Sequence, residues 1–258
     1  MLCADLVSAL RKMDCHATVV DRLFSGSTKF SWQLDSVGSS SVLRLAEQIA
    51  HIERSDDETE ISHPEIAGVL VTRPLTVRRE AVASDGSSYL DTESDAALLG
   101  WIWSLPCRVI NLYHPEFWFA PPASIHFWRE RLESFGLSTT DLTGPIPKRS
   151  GSRDATGCRQ GHLAAVIGSR VVWDEGASEE AQNAAGALTR FTGSLGLDYV
   201  EFRLDNSTGR PRIAEIELFP KYVDFSLSRR QQIINELVAL LTSAHRDLPL
   251  RTAADSWF

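Results

Sequence analysis

An α/β fold with a mainly parallel sheet is what the sequence predicts, and three observations carry that expectation. Short apolar runs such as IAGVLVTRP (66–74) and CRVIN (107–111) alternate with segments of helical spacing, the pattern that places helices on both faces of a sheet. Two strand-like runs near the C-terminus flank a stretch rich in turn formers, which predicts a hairpin. The chain has 258 residues, 43% of them hydrophobic, enough to bury a substantial core as one large domain or two modest ones.

The elements follow in order. Asp5 to Met13 carries Leu6, Ala9, Leu10 and Met13 at helical spacing, and residues 16–21 (HATVVD) read as a strand. Residues 24–41 mix Ser and Gly with alternating Phe30, Trp32 and Leu34, so a hairpin or a loop with one short strand is expected. Helical spacing returns over Val42 to Ile52, and the acidic run 55–60 (SDDETE) reads as a solvated loop. Residues 66–74 give a strand stopped by Pro74, Ser94 to Leu105 a helix with an acidic first turn, and residues 107–111 a buried strand.

His114, Phe117, Trp118, Phe119, His126, Phe127 and Trp128 then crowd together. Aromatic density of this kind suits a binding groove or a packed core. From Pro122 a helix is expected to end at Gly136, and residues 138–161 read as loop. Residues 161–176 give strand, Gly168-Ser169 turn and strand. Ser178 is a helix N-cap with Glu179 and Glu180 behind it, the helix running to Leu195; Gln231 to Thr242 form a last helix before a frayed tail.

The chemistry concentrates in residues 196–220. GLDYVEFRL and RIAEIEL are strand-like, and Asn206, Gly209 and Pro211 supply the turn between them. Side chains alternate faces along a strand, so Tyr199, Glu201 and Arg203 share one face and Glu215 and Glu217 share one face. If these faces coincide, three carboxylates and one guanidinium converge. Clustered oxygen ligands suit Mg²⁺ or Mn²⁺. The alternative is a solvated face on which Arg203 neutralises the glutamates across the strands.

This same stretch resembles the closing strands of the ATP-grasp superfamily, in which an aliphatic strand carrying an Asp precedes a strand ending in Glu-x-Asn and a proline. The branch it looks most like is that of the ribosomal-protein glutamate ligases and microviridin-type peptide ligases. The strand ending in Arg73-Pro74, the approach from Tyr89 to Glu93, and the strand ending in Asn111 before Pro115 look like that branch's pre-ATP domain. The resemblance implies a pre-ATP, Rossmann-like parallel-sheet domain over residues 1–120. A reduced ATP-grasp domain over residues 121–258, lacking most of its lid subdomain, is implied to follow. It implies ATP and Mg²⁺ as cofactors, with Glu215 and Glu217 in the Glu and Asn positions and Glu201 completing the metal set. Arg203 stands where the family has its Asp, Ser124 where it has a nucleotide-anchoring lysine, and Leu163 near its catalytic arginine. Lys148 and Arg153 are left to meet phosphates from a basic loop, with Lys148 and Arg203 as the catalytic cations. Family members begin with a strand before the first helix, so a missing first strand or a start upstream of Met1 is implied as well.

A net charge of −8 and a pI near 5.4 argue against a nucleic-acid surface. Cys3, Cys15, Cys107 and Cys158 show neither zinc spacing nor a disulfide framework. With no apolar run of about 18 residues, a cytoplasmic protein without membrane contact is expected. Two functions follow from the resemblance. One is an ATP-dependent carboxylate–amine ligase acting on a peptide or small carboxylate through an acyl phosphate. The other is a non-catalytic relative that binds a peptide or a partner ligase, and a homodimer could complete a composite site.

Overall fold

Residues 162–217 supply four strands of a five-stranded sheet that carries hydrophobic core on both its faces. The structure, a computed structural model, describes residues 2–17, 28–34, 39–46, 58–72, 87–111, 125–143, 161–205, 211–218, 220 and 222–243. In chain order the elements are α1 (Leu2–Lys12), β1 (Thr28–Leu34), β2 (Ser39–Ala46), β3 (Glu58–Ser62), β4 (Gly68–Leu70), α2 (Ser87–Ser104) and β5 (Arg108–Ile110). They continue with α3 (Ile125–Ser134), β6 (Thr139–Thr143), β7 (His162–Ile167), β8 (Arg170–Trp173), α4 (Glu179–Asn183), α5 (Ala185–Ser194), β9 (Tyr199–Asp205), β10 (Arg212–Glu217) and α6 (Leu227–Thr242).

The large sheet has the order β6-β10-β9-β7-β8, and only its β6–β10 pair is parallel. A second, two-stranded sheet is the parallel pair β4–β5, and a third is the antiparallel meander β1-β2-β3. The α/β class therefore holds, but among the described residues most pairings are antiparallel where a mainly parallel sheet was expected. Hairpin connections explain the difference: β7–β8 and β9–β10 join neighbours directly, without the long crossover a parallel pair needs.

Both faces of the large sheet are covered. One face, with Ala164, Val166, Val200, Phe202, Leu204, Ile213 and Ile216, packs against Leu98, Leu99, Trp101 and Ile102 of α2, Trp128 and Leu132 of α3, and Leu188 and Phe191 of α5. Phe191 is the hub of edge-on aromatic contacts to Trp128, Phe135 and Phe202, with centroids 5.9–6.3 Å apart. Trp128 thus serves the core, while Phe127 beside it is exposed; residues 112–124 of the aromatic segment lie outside the described residues. The other face, with Leu163, Ala165, Ile167 and Tyr199, meets Leu2 and Leu6 of α1 and Ile233, Ile234, Leu237 and Leu241 of α6. Gly68 lets β4 lie against the end of α6, since a Cβ there would stand 2.8 Å from the Leu241 carbonyl oxygen. The turn between β7 and β8 falls at Gly168-Ser169, with Gly168 in the left-handed region at φ 57°.

Several boundaries differ from expectation. Residues 39–46 are strand where Val42 to Ile52 read as helix, because β2 is paired on both sides, and cross-strand pairing outweighs a helical spacing. Glu58–Ser62 is strand where the run 55–60 read as loop, because it pairs antiparallel with β2; residues 55–57 of that run lie outside the described residues. Thr139–Thr143 lies in a stretch read as loop; it is a polar strand with no apolar period, recruited by the open edge of β10 through bonds such as Ile213 N to Ser138 O at 2.8 Å. The helix expected over 178–195 breaks at Ala184, although Ser178 caps it as expected by accepting the Ala181 amide at 3.2 Å. The helices α2 and α6 begin earlier than their sequence patterns suggested, at Ser87 and Leu227. Gly136, at φ 77°, follows α3 as expected. Residues 18–21 of the first expected strand lie outside the described residues. Among the described residues, no helix is long and apolar enough to cross a membrane.

Replacing Phe191 by Ala should cost about 3–5 kcal/mol in chemical denaturation, as for other buried aromatics cut to Ala. Burial pushes the Cys107 thiol up to about 11. Its folded value exceeds the unfolded one, so its contribution to stability is whole below pH 9 and is lost as pH rises from 9 to 11. Denaturation midpoints should fall across that window. Native-state alkylation near pH 8 should modify the half-buried Cys3 and Cys15 well before Cys107.

Candidate functional site

The site is built by the register of β9 against β10. Glu217 lies opposite Glu201 and Glu215 opposite Arg203, but Ile213 pairs with Leu204, so Ala214 is an extra residue in the ladder. A bulge sets two residues of one strand against one of its partner. Here it turns Ile213 to the same side as Ile216, where both join the core with Phe202 and Leu204. Glu215 and Glu217 are left on the other face with Glu201 and Arg203. On the neighbouring β7, Leu163 lies opposite Arg203 and Ala165 opposite Glu201. The charged row is therefore continuous with the face that α1 and α6 cover.

Each charged group has specific partners. Arg203 Nε donates to Glu215 Oε2 at 3.3 Å, and its Nη2 donates to Asp224 Oδ2 at 2.9 Å. The Arg203 and Glu215 side chains are 13% and 29% exposed, against 47% for Asp224, so the guanidinium is the sheltered member of the network. Glu201 is buried, and its Oε1 accepts both the Tyr199 hydroxyl at 2.6 Å and the Tyr222 amide at 2.9 Å. Burial, with the Glu201 charge beside it, holds the Tyr199 phenol well above its ordinary range. Burial and the bond to Asp5 push Tyr222 up to about 12. Both hydroxyls remain protonated donors at neutral pH.

β9 is held at its start by the tip of β5. Asn111, fully buried and in the left-handed region at φ 58°, accepts the amides of Tyr199 at 2.7 Å and Asp198 at 3.1 Å and donates to the Tyr199 carbonyl at 2.8 Å. Asn tolerates this conformation better than most residues. Arg108 of β5 adds an ion pair to Asp198 at 2.6 Å. Two sheets distant in sequence are thereby joined at the strand that carries Glu201 and Arg203.

Of the residues the sequence singled out, Glu201, Arg203, Glu215 and Glu217 are brought together on one face, and Ser124, Lys148 and Arg153 lie outside the described residues. Among the described residues, no group of three or more His, Cys, Asp or Glu is arranged to hold a metal ion. Glu215 turns to Arg203. The cross-strand ion pair that the alternative reading anticipated exists, although on a largely covered face. What stands at the expected place is the directly opposed pair Glu201 and Glu217. Mg²⁺ carried by a nucleotide characteristically needs one or two carboxylates beside the phosphates; the pair fits that role, and the residues do not fit a self-sufficient cage.

Asp224, Tyr222 and Asp5 were not anticipated. A left-handed tyrosine leaves no trace in hydropathy, and Asp5 reaches the site only because α1 folds across the sheet. The Asp in KYVDFS, close behind the hairpin's second strand, is the one signal that could have pointed to Asp224.

No protein-family model matches the chain, and no curated protein matches it. Solved structures do match in fold. The macrocyclase MdnB from Microcystis aeruginosa MRC is 13% identical with a TM-score of 0.62, covering 95% of each chain. The macrocyclase MdnC of the same organism, bound with its precursor peptide MdnA, is 10% identical with a TM-score of 0.63, covering 94% of this chain and 96% of the other. A Chryseobacterium gregarium RiPP-associated ATP-grasp ligase in complex with ADP and a leader and core peptide is 11% identical with a TM-score of 0.62, covering 96% of each. The chain thus shares the fold of these solved structures. The matches run along nearly the whole of both chains and lend no support to the expected shortening.

Asn111→Ala would leave the Asp198 amide and the Tyr199 amide and carbonyl, at the entry to β9, without this partner. At about 1–3 kcal/mol for each buried unsatisfied group, the loss in urea denaturation should be about 3 kcal/mol or more.

Proposed function

We propose that the protein is an ATP-dependent ligase of the ATP-grasp fold that joins a carboxylate of a peptide to an amine. The observation that carries this is the opposition of Glu201 and Glu217 across the closing hairpin, beside Arg203, in a chain whose fold follows peptide-bound ligases end to end. Glu217, three residues before Pro220, takes the place first assigned to Glu215, and Glu201 on β9 takes that of the family Asp. Together they would hold Mg²⁺, which supplies charge neutralisation on transferring phosphates.

In the chemistry proposed, the terminal phosphoryl group of ATP passes to the peptide carboxylate, giving an acyl phosphate and ADP. The amine then attacks the acyl carbon, the amide bond forms, and phosphate leaves. Charge stabilisation supplies most of the catalysis in phosphoryl transfer. Arg203 is assigned to phosphate contact from the sheet, and Lys148 and Arg153 are assigned to the same task from their loop, with Ser124 at the nucleotide.

One observation favours a second reading. Arg203 is already paired with Glu215 and Asp224, as expected of a chain that keeps the fold to bind a peptide or a partner ligase without turnover.

Mg·ATP at a hundredfold excess over its Kd should stabilise the folded chain by about 2.7 kcal/mol, roughly 5–10 °C at this size. Glu217→Ala, alone or with Glu215→Ala, should remove that rise in a thermal-shift titration. Absence of any shift at millimolar Mg·ATP would reject the ligase in favour of the peptide-binding protein.

A further inference from the structure

The bonds around Glu201 reach well beyond the hairpin. The Tyr222 amide that donates to Glu201 Oε1 belongs to a residue at φ 64°. That left-handed conformation is unfavourable for a residue with a side chain, and such strain persists only where the surroundings over-determine it, most often at functional sites. The surroundings do so here. The Tyr222 hydroxyl donates to Asp5 Oδ2 of α1 at 3.1 Å, and the Arg230 guanidinium lies 5.7 Å from the centre of the Tyr222 ring. Arg230 Nε donates to the Phe225 carbonyl at 2.7 Å and its Nη2 to the Val223 carbonyl. The Ser226 amide donates to Asp174 Oδ1 at 3.2 Å. The segment from Tyr222 to Ser226 is thus anchored from α1, α6 and the end of β8, and its one strained residue points its amide at the buried carboxylate.

We infer that Tyr222 is a positioning residue for Glu201. Its main-chain amide, presented by the left-handed backbone and anchored through its hydroxyl to Asp5, orients the Glu201 carboxylate opposite Glu217 for a divalent cation. The inference rests on Glu201 and Glu217 being the ligands proposed above. Two donors on one oxygen, Tyr199 Oη and Tyr222 N, restrict rotation of the carboxylate, so little side-chain freedom remains to be lost when a cation binds. Outer partners of this kind commonly change metal affinity by 10–100-fold. Because Leu2 and Leu6 seat α1 in the core beside Tyr222, the placement of the N-terminal helix is transmitted to the site through the Asp5 bond.

The test is a titration of the full chain with Mn²⁺ in the presence of saturating ADP, followed by water-proton relaxation, with cooperative melting recorded for each variant. Tyr222→Phe and Asp5→Ala should each weaken Mn²⁺ binding about tenfold. Asp5→Asn, which keeps an acceptor for the Tyr222 hydroxyl, should restore most of it, and Glu217→Ala should abolish it. Variants that melt lower yet bind Mn²⁺ as the wild type does would overturn the positioning role alone. A wild-type chain that binds no Mn²⁺ would overturn it together with the ligand assignment, and the two failures are told apart by the wild-type titration.

Discussion

The bulge at Ala214 is the constraint from which the rest of the site follows. Without the extra residue, strict alternation would put Ile213, Glu215 and Glu217 on one face of β10, and either an isoleucine would leave the core or two glutamates would enter it. One inserted residue resolves the conflict, since Ile213 and Ile216 both pack under Phe202 and Leu204 while the acidic pair stays on the opposite face. A slip of register by one residue exchanges the two faces of a strand. The core therefore enforces the register, and the register sets which charged residues face one another.

Electrostatics at the site then divides into two cells. Arg203 is paired with Glu215 and Asp224, while Glu201 is served by neutral donors, the Tyr199 hydroxyl and the Tyr222 amide. A fixed guanidinium beside a metal position repels the cation, and the Glu215 carboxylate offsets that repulsion. The Tyr199 hydroxyl and the Tyr222 amide meet hydrogen-bonding needs of the buried Glu201 carboxylate. Both cells are reached by elements distant in sequence: β5 through Asn111, α1 through Asp5, and the start of α6 through Arg230.

How much of this was legible in the residues depended on the kind of signal. The β9–β10 hairpin, the Gly168-Ser169 turn, the Ser178 cap and the end of α3 at Gly136 were readable because turn chemistry and caps are local. The strands β2, β3 and β6 were not, because nothing local distinguishes VLRLA from a helix or TTDLT from a loop until a neighbouring edge offers hydrogen bonds. The clustering of Glu201, Arg203, Glu215 and Glu217 followed from alternation, yet their pairing did not. Ala214 gives no sign in the sequence that it is the extra residue.

By itself the sequence determined the α/β class, the apolar faces, the closing hairpin and the presence of acidic and basic groups on it, since each depends on periodicities of two or 3.6 residues and on turn formers. Tertiary structure alone decided that most strands pair antiparallel, that Glu217 rather than Glu215 opposes Glu201, and that Asp5, Tyr222 and Asp224 belong to the site. The physical reason is that hydrogen bonds between strand edges, and the packing that selects one register among several, join residues up to 217 positions apart, a separation over which no local pattern carries information.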